Sequence, residues 1–251
     1  MILPLLHMLI TVHMAHGTME GFVIQGNKTH IRHYPHSVYL NIICTRITYI
    51  CGGSILNQRV VLTAGHCLED CTGKYRDEVY LKYGHENPSQ MGSTQMKRFI
   101  MHERYDGNSL DNDIALVSGK RNIPLGKTVR RIAIFRSPPR QRLAYMAGWG
   151  VMNYRNDVAL TLLDTVQEMQ PNKVCKLLGT MPRGTFCAGS IKGPGNPDRG
   201  DSGSALVVKK YVQIGLVSYK VDHYSLVVYT NVSYFYSWIR NNAHKLYCSR
   251  S

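Results

Sequence analysis

The feature that most constrains this chain is a succession of short apolar runs, each broken by a turn signal, that falls into two sets. "SVYLNIIC", "YICGGSIL", "RVVLTAG", "EVYLKYG", "KRFIMH" and "DIALV" form the first set. "LAYMAGWG", "LTLLDTVQEM", "SALVVKK", "YVQIGLVSY" and "LVVYTNV" form the second, after the Pro- and Arg-rich "FRSPPRQR". Runs this short, rich in β-branched and aromatic residues, read as strands. Two sets of roughly six strands around one linker predict an all-β fold of two packed antiparallel barrels. The barrels are expected over about 23–130 and 141–232, in a chain of 251 residues, long enough for a sizeable core. Two helices are expected: "NKVCKLLG", stopped by Gly179, and the terminal "SYFYSWIRNNAHKLY" over about 233–247, with Ser233 as its N-cap.

The opening "MILPLLHMLITVHMAHG" has the length and apolar character of a signal-peptide core, although it lacks a basic start. The small residues Ala15 and Gly17 suit cleavage after Gly17, so 1–17 is expected to be a signal peptide. No later apolar run is long enough to span a bilayer. Seven cysteines behind a secretory start point to disulfides and an extracellular protein. The spacings Cys51-x15-Cys67 and Cys175-x11-Cys187 each close a small loop. Cys44, Cys71 and Cys248 remain, which leaves one thiol unpaired or paired outside the chain. No Cys-x-x-Cys pair or Cys/His cluster of ligand spacing occurs, so neither a metal nor another cofactor is expected. Asn27 and Asn231 open glycosylation sequons.

The formal net charge is +14, from 30 Lys and Arg against 16 Asp and Glu. Between Asp113 and Asp157 there is no acidic residue, while Lys120, Arg121, Lys127, Arg130, Arg131, Arg136, Arg140, Arg142 and Arg155 all occur there. Such a surface favours polyanions (glycosaminoglycans, anionic membranes, acidic substrates), or it is a solvated basic face with no dedicated partner. No aromatic interleaving or nucleic-acid motif accompanies it, so no nucleic acid partner is expected.

"GNPDRGDSGSAL" places Ser202 beside Asp201 and between Gly200 and Gly203. A serine hydroxyl needs an imidazole to take its proton, and the imidazole needs an acceptor that fixes its tautomer and stabilises its cation. "VVLTAGHCLED" offers His66, tied down by Cys67. "DNDIALV" offers Asp113, which opens an apolar strand. Each signal alone is weak; the three together, in the order His, Asp, Ser, are specific.

With "CGGSIL", "LTAGHC", "DNDIAL", "AGWG", "FCAG", "GDSG", "GLVSY" and "VVYTNVSYFYSWI" in order over about residues 23–242, the chain resembles the trypsin/chymotrypsin-like secreted serine endopeptidases, insect-type members included. The resemblance implies two six-stranded Greek-key barrels with an active site in the cleft between them. It makes Ser202 the nucleophile, His66 the general base, Asp113 its orienting acid, and the Gly200 and Ser202 N–H groups the oxyanion hole. Ser218 matches the serine that hydrogen-bonds the triad acid, and Asp201 the acid that pairs with a new amino terminus after zymogen cleavage. That terminus aligns with Val23, which makes 18–22 a short propeptide and 23–251 the protease domain.

The sequence departs from the family pattern in four places, one of them Ser204 and Ala205, which stand where Gly and Pro usually follow. Phe22 stands where trypsin-activated members carry Arg or Lys, and Gln25 replaces a glycine. The pocket-floor acid of trypsins is Asn196, and the two wall glycines align with Lys220 and Val227. With Arg199 at the same rim, Asn196, Arg199, Ser218, Tyr219, Lys220 and Val227 are the residues expected to bind substrate. A narrow pocket ringed by Lys220 and Arg199 suits a small or acidic residue before the scissile bond, or is closed; alternatively Lys220 turns away or pairs with Asp198 and leaves a small neutral pocket. Asp198 also stands where the family has a cysteine whose partner near His223 is absent too. The expected function is therefore a monomeric secreted serine endopeptidase with a restricted, non-tryptic pocket, acting on protein or peptide substrates. The alternative is a non-proteolytic homologue serving as a cationic binding protein. An ester hydrolase needs a Gly-x-Ser-x-Gly elbow, which Gly200-Asp201-Ser202-Gly203-Ser204 does not supply.

Overall fold

In "SVYLNIIC" and "EVYLKY" the apolar residues alternate, and the alternate positions are the buried ones: Val38, Leu40 and Ile42 on one strand, Val79 and Leu81 on its neighbour. A period of two places one face of each strand against a common core. The computed structural model describes residues 26–45, 47–71, 77–151, 157–191, 196–221 and 224–248. The signal-peptide, propeptide and Val23 expectations lie outside these residues.

After a short β1 (Asn27–Lys28) come β2 (Ser37–Cys44), β3 (Ile47–Ile55), β4 (Val60–Thr63), β5 (Glu78–Tyr83), β6 (Gly92–Met101) and β7 (Ala115–Gly119). Strands β2 to β7 close into an antiparallel barrel in the order β2-β3-β4-β7-β6-β5. The second half contributes β8 (Ala133–Ile134), β9 (Leu143–Gly148), β10 (Leu163–Glu168), β11 (Thr185–Gly189), β12 (Ala205–Val208), β13 (Val212–Lys220) and β14 (Leu226–Asn231). They form a sheet in the order β1-β10-β9-β12-β13-β14-β11, with β8 alongside β13.

The all-β, two-unit expectation holds, but the second unit closes differently from the first. Among the described residues the end of β10 meets β11 at the bridge Met169↔Ala188, continued by the Gln170 N–H donating to Cys187 C=O at 3.2 Å. Pro171 comes next and has no N–H to extend the ladder.

The helix α1 (Asn172–Cys175) is a single turn, prolonged by a 3-10 turn to Leu178 and ended by Gly179 at φ 83°. The terminal helix α2 (Tyr236–Cys248) starts two residues later than a Ser233 cap requires. Asn231 explains the difference: its Oδ1 accepts from the N–H groups of Ser233 (3.0 Å) and Tyr234 (3.3 Å) and from Ser233 Oγ (2.7 Å). The Ser233 hydroxyl is thus spent on a turn before the helix. Ile239 and Leu246 of α2 then pack with Val60, Leu62, Ile114 and Leu116 of the first barrel. The end of the chain thereby grips the unit that its own sheet does not belong to. Between the barrels the buried Ser54 Oγ donates to Gln213 Oε1 at 2.8 Å.

Cys51–Cys67 and Cys175–Cys187 are bonded, and Cys44 pairs with Cys71. Cys248 is the odd thiol and is exposed. The Cys44–Cys71 bridge spans 27 residues and fixes the end of β2 to the loop beyond His66. Closing a loop of that length is worth about 3 kcal/mol in the unfolded chain. Replacing both cysteines by serine is expected to lower Tm by roughly 6–12 °C in thermal unfolding; an unchanged Tm contradicts this.

Candidate active site

Asp113 lies two residues before β7 and is 1% exposed. The preceding Asn112 takes φ 55°, a left-handed conformation that asparagine tolerates better than most residues, and its Nδ2 donates to Arg104 C=O at 2.7 Å. A buried carboxylate demands hydrogen-bond donors. Asp113 receives them from both barrels: the His66 N–H to Oδ1 (2.9 Å), His66 Nδ1 to Oδ2 (2.9 Å) and Ser218 Oγ to Oδ2 (2.5 Å). Thr230 Oγ1, from β14, donates to the Asp113 carbonyl at 2.8 Å.

Burial opposes ionisation of Asp113, but the facing His66 and these hydrogen bonds outweigh it and hold the carboxyl below its ordinary range. The same contest plays out on His66: burial lowers its pKa, Asp113 raises it more, and the net shift is upward. Nδ1 therefore carries the proton toward Asp113, leaving Nε2 as the ring's acceptor in the neutral state.

Nε2 lies 4.0 Å from Cys67 Sγ, and the same sulfur is 3.7 Å from the Ser202 carbonyl oxygen. The imidazole and the serine thus rest on one disulfide. Cys51, His66 and Cys67 gather within 4.8 Å of one another, yet both sulfurs are spent in their bond. Among the described residues Ser202 Oγ makes no hydrogen bond, so the serine and the imidazole are neighbours that have not yet engaged.

The backbone around Ser202 is used selectively. The N–H of Arg199 donates to Asp198 Oδ1, that of Asp201 to Asp198 C=O, that of Gly203 to Val217 C=O, and that of Ser204 to Asp201 C=O. The N–H groups of Gly200 and Ser202 have no acceptor among the described residues. The turn demands glycine at 203: φ is 78°, and a Cβ there would lie 2.3 Å from Thr63 Oγ1 and 2.6 Å from Gly52 O.

Asp201 points the other way. Its carboxylate is fully buried, accepting from the N–H groups of Gly150 (2.9 Å) and Asp198 (3.0 Å). A Cβ on Gly148 would come within 2.0 Å of Asp201 Oδ1, and one on Gly150 within 2.5 Å of its carboxyl carbon, which explains both glycines of "AGWG". Among the described residues no cation pairs with it, and burial pushes its pKa up to about 7.

Beside Ser202 lies a cavity of about 300 Å³. Arg199, Ser218, Tyr219, Lys220 and Val227 line it. Asn196 is not among the residues that line it, and is buried. Lys220 Nζ is hydrogen-bonded to Asp198 Oδ2 in a largely buried ion pair, so the lysine does not offer a free charge to the cavity. Sequence patterns had no means of finding the Thr230–Asp113 or Ser54–Gln213 contacts, whose partners lie more than a hundred residues apart.

The folded chain holds the Asp201 proton more tightly than the unfolded chain, whose carboxyl has an ordinary value of 3.8. Stability of the uncleaved chain is therefore expected to fall as pH rises from about 4 to about 7, by up to about 4 kcal/mol. Denaturant unfolding of Asp201→Asn across that window should lack this slope; identical slopes in the two proteins contradict the assignment.

The geometry can be set beside known proteins. The family model described as Trypsin matches residues 23–239. Chymotrypsin of Phaedon cochleariae is 27% identical over 235 residues, covering 88% of this chain and 82% of that protein. Human cathepsin G is 29% identical over 234 residues, covering 89% and 88%. Among solved structures, HL collagenase superposes with a TM-score of 0.75 at 22% identity, over 87% of this chain and 97% of that one, a likeness of fold. On the family match and the barrel architecture together, this chain belongs to the trypsin family, a family of serine endopeptidases.

Proposed function

We propose that the chain is a secreted, monomeric endopeptidase that cleaves peptide bonds through an acyl-enzyme formed on Ser202. The observation that carries this reading is the chain of hydrogen bonds from Ser218 through the buried Asp113 to His66 Nδ1. In the proposed cycle His66 Nε2 takes the Ser202 proton as Oγ attacks the scissile carbonyl, and Asp113 stabilises the imidazolium. His66 then gives that proton to the leaving amine, and water repeats the sequence to release the acid. The free N–H groups of Gly200 and Ser202 are read as donors to the oxyanion, each worth about 10²–10³ in turnover. Cleavage after Phe22 would supply the α-amino group of Val23 to Asp201, turning a costly buried acid into an ion pair. The Lys and Arg excess is read as a surface for polyanions.

For specificity, the cavity is read as a small neutral pocket. The Asp198–Lys220 pair cancels the lysine's charge and Val227 limits depth, so a small uncharged residue before the scissile bond fits best. The ion pair also bridges the loop before Gly200 to the end of β13, where the family's missing cysteine staple would run.

Protein processed to Val23 should react with a fluorophosphonate at Ser202. Its kcat/KM should rise with pH through a midpoint above the ordinary 6.5 of histidine, because His66 must lose a tightly held proton. Asp113→Asn should cost about 10⁴ in kcat. Failure of the processed protein to label removes the proposal in favour of a non-proteolytic homologue. In peptide-library profiling the wild type should prefer small residues, and Asp198→Asn, by freeing Lys220, should gain cleavage after Asp and Glu. A variant profile identical to the wild type refutes the neutralised pocket.

A further inference from the structure

Away from the Ser202 cavity, and sharing no lining residue with it, lies a larger cleft of about 970 Å³. Four separated pieces of chain build it: the turn around Arg32, the linker at Arg130 and Arg131, the start of β9 at Arg142, and the β12–β13 hairpin at Lys209 and Lys210. All six cations are exposed. Against them the lining holds one carboxylate, Asp164, which already accepts from Tyr34 Oη at 3.0 Å. Arg142 pairs with Glu168 at 2.7 Å; the other five have no ionic partner among the described residues.

Two further observations mark the cleft as more than a basic face. Lys209 and Lys210 sit in the hairpin turn at φ 50° and 67°, where left-handed backbone favours Gly or Asn. Two consecutive lysines there keep strain that glycine would relieve, which points to a use for their side chains. His36, also in the lining, is 2% exposed, its Nε2 has no hydrogen-bond partner, and burial pushes its pKa down to about 4. A neutral ring with an unused polar atom is poised for a ligand group and not for another charge.

The walls between the cations are aromatic. Tyr145 and Tyr211 expose 40% and 58% of their surface within the same cleft. Cationic rims, tyrosine faces and a concave volume in the range of ligand clefts fit sulfated sugar rings, whose sulfates meet the guanidinium and ammonium groups while ring C–H faces pack on tyrosine. A flat bilayer does not enter a concavity of this kind.

We propose that this cleft is a binding site for sulfated polysaccharide chains, separate from the proteolytic site. The proposal deepens the polyanion reading by giving it a place, and does not depend on the triad.

The test is binding of a heparin decasaccharide to the full secreted protein, measured against salt concentration. Lys209→Gly/Lys210→Gly is the first variant, because it removes two charges and relieves the turn. It should weaken binding roughly tenfold and flatten the log–log salt slope by about two, with Tm equal or higher. Arg130→Gln/Arg131→Gln should lose a similar factor. Lys173→Gln/Lys176→Gln, the same charge change outside the cleft, should leave affinity within about twofold. Equal losses in all three variants overturn the cleft while leaving a diffuse polyanion surface. No binding by the wild type overturns both. A single-stranded oligonucleotide or phosphatidylserine vesicles binding as tightly, with the same sensitivity to the hairpin variant, overturns the assignment to sulfated sugar.

Discussion

The structure depends on how one carboxylate survives burial. Asp113 is almost wholly removed from water, a position that costs several kcal/mol unless the charge is fully hydrogen-bonded and paired. No single barrel supplies enough donors. His66 and its own backbone come from the first, Ser218 from the second, and Thr230 takes the adjoining carbonyl. The barrels must therefore meet in one register for the acid to remain ionised. Once they do, the imidazole is oriented and its tautomer fixed at no further cost. Packing of the two units and orientation of the imidazole are the same event.

Around Ser202 the chain solves a second burial problem in a different way. Asp201 is as deeply buried as Asp113, yet it has two backbone N–H groups and no ion-paired cation among the described residues. The result is opposite: Asp113 is held below the ordinary carboxylate range and Asp201 is lifted to about 7. Two aspartates on the two sides of one site thus hold their protons on different terms, set by whether a positive partner faces them. The unsatisfied acid gives an incoming ammonium group a large reason to bind, which connects the amino-terminal cleavage proposed above to the shape of the Gly200–Ser202 turn.

Replacement of a disulfide staple by the Asp198–Lys220 pair has a cost and a consequence. An ion pair ties the pocket wall less firmly than a covalent bond and feels salt and substitution. It also disposes of a lysine that would otherwise charge a pocket closed by Val227. Two departures from the family pattern that look separate in the sequence are one contact in space.

The sequence by itself determined the fold class and singled out the residues proposed as the catalytic set. Strand runs with a period of two dictate a β architecture whatever surrounds them, and "GHC", "DND" and "GDSG" carry residue types whose chemistry has few other uses. It also separated the two short-loop cysteine pairs from the remaining three. What it could not decide were the contacts made across long separations. Pairing of Lys220 with Asp198, exclusion of Asn196 from the cavity, selection of Asn231 over Ser233 for the turn before α2, and identification of Cys248 as the odd thiol all depend on which side chains meet. Convergence of Arg32, Arg130, Arg142 and Lys209 into one cleft is of the same kind. Composition fixed the number of positive charges, but mutual repulsion and local pattern do not say where they gather; only the docking of four distant segments around the β9–β12 region did.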